Sequence, residues 1–275
     1  MNRNILLGII AAAAVVGGIM IFSSGGGDQQ PAAFEDNVQK EAQDLYRQAQ
    51  KLKRKNEPLA AKQAYREILQ NYPEAVNARE VQKELYDLNM ELLLSNRPVE
   101  GKTVIHEVEP GDTLGKISKT YGVTIPLIKK SNNLKSDVIR VGQKLRIWQG
   151  DFNIYVDKSQ NILILKDKND VLKVYDVSTG ENNSTPVGTF KITTKLVDPV
   201  WFNRGIVVPP ESPQNVLGTR WLGFDVSAEG YGIHGTIEPE TIGQQVTAGC
   251  VRMLNEDVEE VYDLVPSGTE VTIVD

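Results

Sequence analysis

At 275 residues, with 40% hydrophobic and 24% charged positions, the chain has the make-up of ordinary globular protein and length enough for two or more domains. Its 30 basic and 36 acidic residues leave a net charge of −6, which lacks the basic footprint of a nucleic-acid binder and excludes nucleic acid as a partner. One cysteine rules out an internal disulfide, and with only two histidines beside it no metal site or other cofactor is expected.

The first predicted element is an uninterrupted apolar run, Ile5 to Phe22. As a helix it spans roughly 27 Å at about 1.5 Å per residue, close to the thickness of a bilayer's hydrocarbon core. Arg3 precedes it, and no Lys or Arg follows until Lys40, so the positive-inside rule leaves the N-terminus in the cytoplasm. Residues 1–24 are therefore expected to be a membrane anchor crossing once. A cleaved signal peptide is the competing reading, with Ser23-Ser24-Gly25 as its small-residue site. Both export the remainder of the chain, so the expected location is the cell membrane with the C-terminal part extracytoplasmic, in periplasm or wall.

A polar linker, 25–34, leads into a helical segment over 35–95. Val38, Ala42, Leu45 and Ala49 recur at helical spacing, and Asn56 with Pro58 breaks that helix. A second is expected from Leu59 to Asn71, and Pro73 precedes a third that ends near Ser95. Ala49, Leu52, Ala61, Tyr65 and Pro73 resemble the spaced positions of one tetratricopeptide repeat, where small residues let paired helices approach. A single repeat is a spacer on the plain reading and a docking groove for a protein partner on the sharper one.

After a Pro98 and Gly101 linker, residues 103–148 read as strand, helix, helix, strand. Pro110-Gly111-Asp112 is a turn, Thr113 and Thr124 sit where helix caps are needed, Gly122 stops the first helix, and Lys144 to Ile147 returns as a strand. The Gly-Asp-Thr-Leu turn, the Tyr-Gly-Val helix stop and the terminal Gly-Gln-x-Leu closely resemble a LysM domain. That resemblance implies a shallow groove for N-acetylglucosamine-containing glycans such as peptidoglycan, beside Gly111, Asp112 and Thr113. His106 falls in the first strand and reads as structural.

From Phe152 the period shortens to that of strands, expected at Phe152–Val156, Asn161–Lys166, Val171–Ser178, Gly188–Lys195, Trp221–Val226 and Glu270–Val274, with one helix capped by Asn255. The fold class is thus multidomain α+β: one transmembrane helix, a short helical segment, a βααβ module and a mostly-β domain over 152–275. In that last domain lie Cys250, the lone thiol, and His234, sixteen residues earlier. A thiol nucleophile needs an imidazole within reach to take and return its proton, and outside the cytoplasm an idle thiol is a liability.

Thr185-Pro186-Val187-Gly188-Thr189-Phe190, Asn215 to Trp221, Ile233-His234-Gly235-Thr236 and Thr247-Ala248-Gly249-Cys250-Val251-Arg252-Met253 resemble, in order, the motifs of the L,D-transpeptidase (YkuD-type) catalytic domain. The resemblance implies that Cys250 attacks a peptidoglycan stem peptide, releasing D-Ala, with His234 as base and acid and the Gly235 carbonyl orienting its ring. The amides of Ala248, Gly249 and Cys250 are candidates to hold the oxyanion, because a loop with glycine can aim consecutive N–H groups at one point. Thr247, Tyr231 and Arg252 are the substrate-binding candidates, with a structural salt bridge the alternative for Arg252. The family pattern carries a second His directly before Gly-Cys; here that position is Ala248, which keeps the backbone donor and loses the side chain. A water-resolved acyl-enzyme would make the protein an L,D-carboxypeptidase, and a silent catalytic fold would make it a wall-binding tether.

Overall fold

The computed structural model describes residues 32–74, 77–203, 205–226 and 230–275. The expected membrane anchor lies outside the described residues, as does the linker through residue 31; residues 32–34 of that linker belong instead to the first helix. Among the described residues no helix is long and apolar enough to cross a membrane.

Two units divide the chain after Leu92. The first is helical: α1 (Ala32–Arg54), α2 (Pro58–Asn71) and α3 (Ala78–Leu94), which begins in this unit. Asn56 takes a left-handed conformation (φ 66°) and Pro58 starts α2, so the sequence break turns the chain back on itself. Ala49 and Ala61 are fully buried where α1 and α2 pack, and Tyr65, Ile68 and Leu88 fill the core beside them. Small side chains at the contact permit the close approach that their spacing predicts.

The second unit begins with the βααβ module. Strands β1 (Thr103–Glu107) and β2 (Lys144–Trp148) pair antiparallel, with Thr103 opposite Trp148 and Glu107 opposite Lys144. Between them lie α4 (Leu114–Tyr121) and α5 (Ile125–Ser131). The hydroxyls of Thr113 and Thr124 accept the amides of Lys116 and Leu127, and Gly122 closes α4 in the left-handed region, as the sequence predicts.

The remainder is one eight-stranded sheet with a helix against it. Its strands are β3 (Phe152–Asp157), β4 (Ile162–Asp167), β5 (Asp170–Asp176), β7 (Gly188–Val197), β10 (Arg220–Phe224), β11 (Gly232–His234), β13 (Val251–Arg252) and β14 (Glu270–Val274), in the order β13-β11-β10-β7-β14-β3-β4-β5. The short β6 (Thr179–Gly180) pairs with β12 (Gln245–Thr247), and β8 (Trp201–Asn203) with β9 (Ile206–Val208). The expected strand at Asn161 begins one residue later, because Asn161 itself turns the chain with φ 53°. The strand expected to run to Ser178 stops at Asp176; Ser178 instead bridges Arg252 through two backbone bonds of 2.8 Å.

Module and sheet are joined inside this second unit. Asp167, whose side chain is fully buried, accepts from Lys102 Nζ at 2.7 Å and from the Asp151 amide at 2.9 Å, and Lys130 pairs with Asp263 at 2.7 Å. Asp263 belongs to α6 (Asn255–Leu264), which lays Val258, Val261 and Leu264 into the core. Lys195, on β7, reaches the far end of α6 and donates to the carbonyls of Tyr262 and Val265, both at 2.6 Å. Burial pushes this lysine down to about 8, while its ammonium satisfies carbonyls that the helix end leaves without partners. Lys195→Met removes both bonds and strands two acceptors, so it is expected to destabilise the sheet domain by about 2 kcal/mol, read as a lower midpoint in thermal unfolding.

Asn255 departs from its expected role. The residue at the cap position of α6 is Leu254, which offers no side-chain hydrogen bond, and the Asn255 side chain turns back towards two loops of the active site.

Candidate active site

Three short strands at one edge of the sheet assemble the site. In β11, Ile233 lies opposite Val251 and His234 opposite Arg252 in a parallel pairing with β13, while on its other side Trp221 of β10 lies opposite His234. Cys250 immediately precedes β13 and lies two residues before Arg252, the partner of His234, which brings the thiol and the imidazole to the same edge of the sheet. Sixteen residues of chain separate them in sequence, and the parallel pairing closes that loop.

His234 is held on all sides. It is only 4% exposed, its ring stacks on Trp221 with centroids 5.9 Å apart and planes 24° from parallel, and Nδ1 lies 2.7 Å from the carbonyl oxygen of Gly235. A carbonyl only accepts, so Nδ1 carries the proton and the lone pair belongs to Nε2. Burial drives the imidazole down to about 4; the Gly235 carbonyl works against that shift, and the charge of Arg252 adds to it. The ring is therefore neutral at physiological pH.

Cys250 is partly exposed, and its Sγ lies 3.8 Å from the carbonyl oxygen of Gly230. Burial raises the thiol above its ordinary value, opposed by the Gly232 amide and by Arg252. Both shifts favour the uncharged forms, a neutral thiol and a neutral imidazole, over a preformed ion pair.

The loop before Cys250 is fixed by Thr247, whose hydroxyl donates to the Cys250 carbonyl at 2.6 Å and accepts the Gly249 amide at 3.2 Å. The Gly249 N–H, one of the oxyanion candidates, is thereby taken up within the loop. Ala248 and Cys250 remain as the backbone donors for that role. Gly249 has φ 129°, and a Cβ there would come within 2.4 Å of the Tyr231 ring, so this position requires glycine. Tyr231 thus packs directly against the nucleophile loop.

Arg252 falls on the salt-bridge side of its two readings: Nη1 pairs with Glu238 at 2.8 Å and with the Thr241 hydroxyl at 2.9 Å, and the side chain is largely buried. In the βααβ module, Asp112 is likewise occupied. Its Oδ2 accepts the Glu109 amide and faces His106 Nε2, both at 2.9 Å, while His106 Nδ1 lies 3.1 Å from the Tyr121 hydroxyl. His106 is thus a tie between β1, the Gly111-Asp112-Thr113 turn and the end of α4. Those amide and imidazole contacts also hold the Asp112 carboxyl below the usual range.

Residue type alone assigns neither Trp221 nor Asn255 to the site. Trp221 sits in the segment that precedes the active site, but only the cross-strand register puts it on the imidazole. Asn215, buried in that same segment, shapes the approach to β10 by donating to the Pro199 carbonyl at 2.8 Å and accepting the Leu217 amide at 3.0 Å.

Fold and site together define a β-rich domain with a buried imidazole on one strand and a thiol at the start of the strand paired with it. Residues 151–273 match the L,D-transpeptidase catalytic domain (YkuD), and residues 106–148 match the LysM domain. Over 130 residues the chain is 40% identical to YqjB of Bacillus subtilis (strain 168), which is named as an L,D-transpeptidase, covering 46% of this chain and 73% of that protein. Its identity to YkuD of the same organism, also named as an L,D-transpeptidase, is 31% over 175 residues, or 61% of this chain and 97% of the relative. Over 42 residues it is 57% identical to LytE of B. subtilis, named as a peptidoglycan endopeptidase, which is 15% of this chain and 13% of that one. The chain belongs to the L,D-transpeptidase family and is an L,D-transpeptidase carrying a LysM domain.

Proposed function

We propose that the protein is an exported peptidoglycan L,D-transpeptidase that forms crosslinks through a thioester on Cys250, is held on the wall by its LysM domain, and is anchored by the apolar run Ile5 to Phe22. The observation that carries this reading is the pairing of β11 with β13, which sets a neutral His234, with its proton on Nδ1, beside the strand that begins after Cys250. His234 Nε2 takes the thiol proton as sulfur attacks the carbonyl of the third stem residue. The carbonyl oxygen becomes an oxyanion, for which the Ala248 and Cys250 amides are the donors. Collapse of the tetrahedral intermediate breaks the peptide bond, and His234 returns the proton to the departing D-Ala amine, leaving the thioester.

An acceptor amine then attacks the thioester, loses its proton to His234, and expels the thiol to form the crosslink. Resolution by water would give an L,D-carboxypeptidase instead. The membrane and the glycan are the partners in this reading, and the helical segment serves as spacer between them or as a dock for a protein partner. Ala248 leaves the tetrahedral centre without a side-chain imidazole next to Gly249, so the charge developing there rests on backbone donors alone.

Incubation with a carbapenem followed by intact-mass spectrometry tests the thioester chemistry. One covalent adduct per chain is expected, lost in Cys250→Ala. An unmodified wild-type mass would overturn the acyl-enzyme.

A further inference from the structure

Asn255 is placed where a helix cap is expected and does not cap its helix. Its Oδ1 accepts the amides of Thr236 at 3.0 Å and Thr219 at 3.2 Å, and its Nδ2 donates to the Thr236 carbonyl at 2.8 Å. The two donors fix which end of the amide is oxygen, since both N–H groups need an acceptor and the carbonyl needs a donor. The surroundings are built to that oxygen. A Cβ on Gly218 would come within 2.2 Å of Oδ1 and one on Gly235 within 2.1 Å, and Gly218 takes a positive φ of 63°. Both glycines leave room for one side chain.

The Thr236 N–H and the Gly235 C=O belong to the same peptide plane. Within that plane the two groups point in opposite directions, so holding the N–H fixes where the carbonyl aims, and that carbonyl is the group 2.7 Å from His234 Nδ1. We propose that Asn255 is a positioning residue for the catalytic imidazole: by clamping the Gly235–Thr236 peptide it fixes His234 as the Nδ1–H tautomer, with the Nε2 lone pair left for the thiol. The clamp stands on a rigid base. Asn255 is the first residue of α6, whose body is buried through Val258, Val261 and Leu264 and whose far end Lys195 holds. It also ties the loop before β10, through Thr219, to the loop after β11, so both neighbours of the imidazole move together.

This proposal rests on the reading of His234 as the base, and its test separates the two. The tautomer is read by 15N NMR of the labelled full-length chain, with His106 assigned through a His106→Asn control, and requires no turnover. Wild type is expected to show His234 protonated on Nδ1; protonation on Nε2 would overturn the proposal whatever the variants do. Asn255→Ala is expected to shift His234 towards the Nε2–H form and to lower kcat by about 100-fold with KM within about two-fold. A wild-type tautomer in a folded Asn255→Ala would overturn it. Asn255→Asp keeps an acceptor for both amides, so it covers the case in which the alanine variant fails to fold: it is expected to retain the Nδ1–H tautomer, and loss of that tautomer in folded Asn255→Asp would overturn the proposal. A chain with the Nδ1–H tautomer in wild type and its loss in Asn255→Ala, but no turnover in wild type, would sustain the clamp and remove the assigned function.

Discussion

Cys250→Ala is expected to abolish D-Ala release from tetrapeptide muropeptides, and His234→Ala to lower it by about 10² to 10⁴-fold, the span that follows loss of a general acid–base group. The asymmetry follows from the chemistry of the pair. Without sulfur no thioester forms, and the chain's single cysteine leaves no second thiol to replace it. Without the imidazole a small thiolate fraction still attacks, but burial has raised the thiol above its ordinary value, so that fraction is smaller than for an exposed cysteine. The rate left in His234→Ala is therefore expected to climb steeply with pH, while wild type, whose base is already neutral, changes little between pH 6 and 8. Initial rates of D-Ala release across that range check both statements. A Cys250→Ala variant with wild-type turnover would remove Cys250 from the chemistry.

Acid lability is the second large effect. Folded His234 titrates at about 4, against 6.5 for an unperturbed imidazole, because its ring is buried against Trp221 between two strands. In the interval between those values the unfolded chain binds a proton that the folded chain refuses. Stability is accordingly complete above pH 6.5, falls as pH drops through that interval, and below about 4 has lost roughly 3 kcal/mol from this one group. The Gly235 carbonyl limits the loss and Arg252 deepens it. His234→Gln carries no titrating ring and is expected to show a flatter dependence of its thermal midpoint between pH 7 and 4. Parallel curves for the two proteins would show that burial does not penalise the charged ring.

Much of this architecture was legible in the chain. The alternation in β3 and β14 reports a buried face, and the threonines and glycine of the LysM domain mark its helix ends by their own capping geometry. Ala49 and Ala61 announce a close helix contact, and both are fully buried in the core of the helical unit. Strands β11 and β13 are a different case: with three and two residues they carry no period to read, and they exist because the parallel pairing, the Trp221 ring and Met253's bond to the His234 carbonyl hold them in place. Motifs named the residues of the site, and the register arranged them.

Asn255 shows where local reasoning fails. An asparagine ahead of Glu256 and Asp257 has the composition of a helix start, yet its amide finds better partners across the fold than in its own helix, because Gly218 and Gly235 open space for it. Arg252 was evenly balanced by type, and the proximity of Glu238 and Thr241 decides it. Gly249 was named for its amide, which the adjacent Thr247 hydroxyl engages. The first two depend on partners brought in by tertiary structure, the third on the local turn of its own loop.

The most direct test of the central claim is analysis of the products formed when the full-length protein meets tetrapeptide-bearing peptidoglycan. Muropeptides joined by 3→3 crosslinks, with free D-Ala released in proportion, are the predicted result. Tripeptides trimmed without any crosslink would contradict transfer to an amine, and muropeptides unchanged relative to Cys250→Ala would contradict the catalytic role of the thiol altogether.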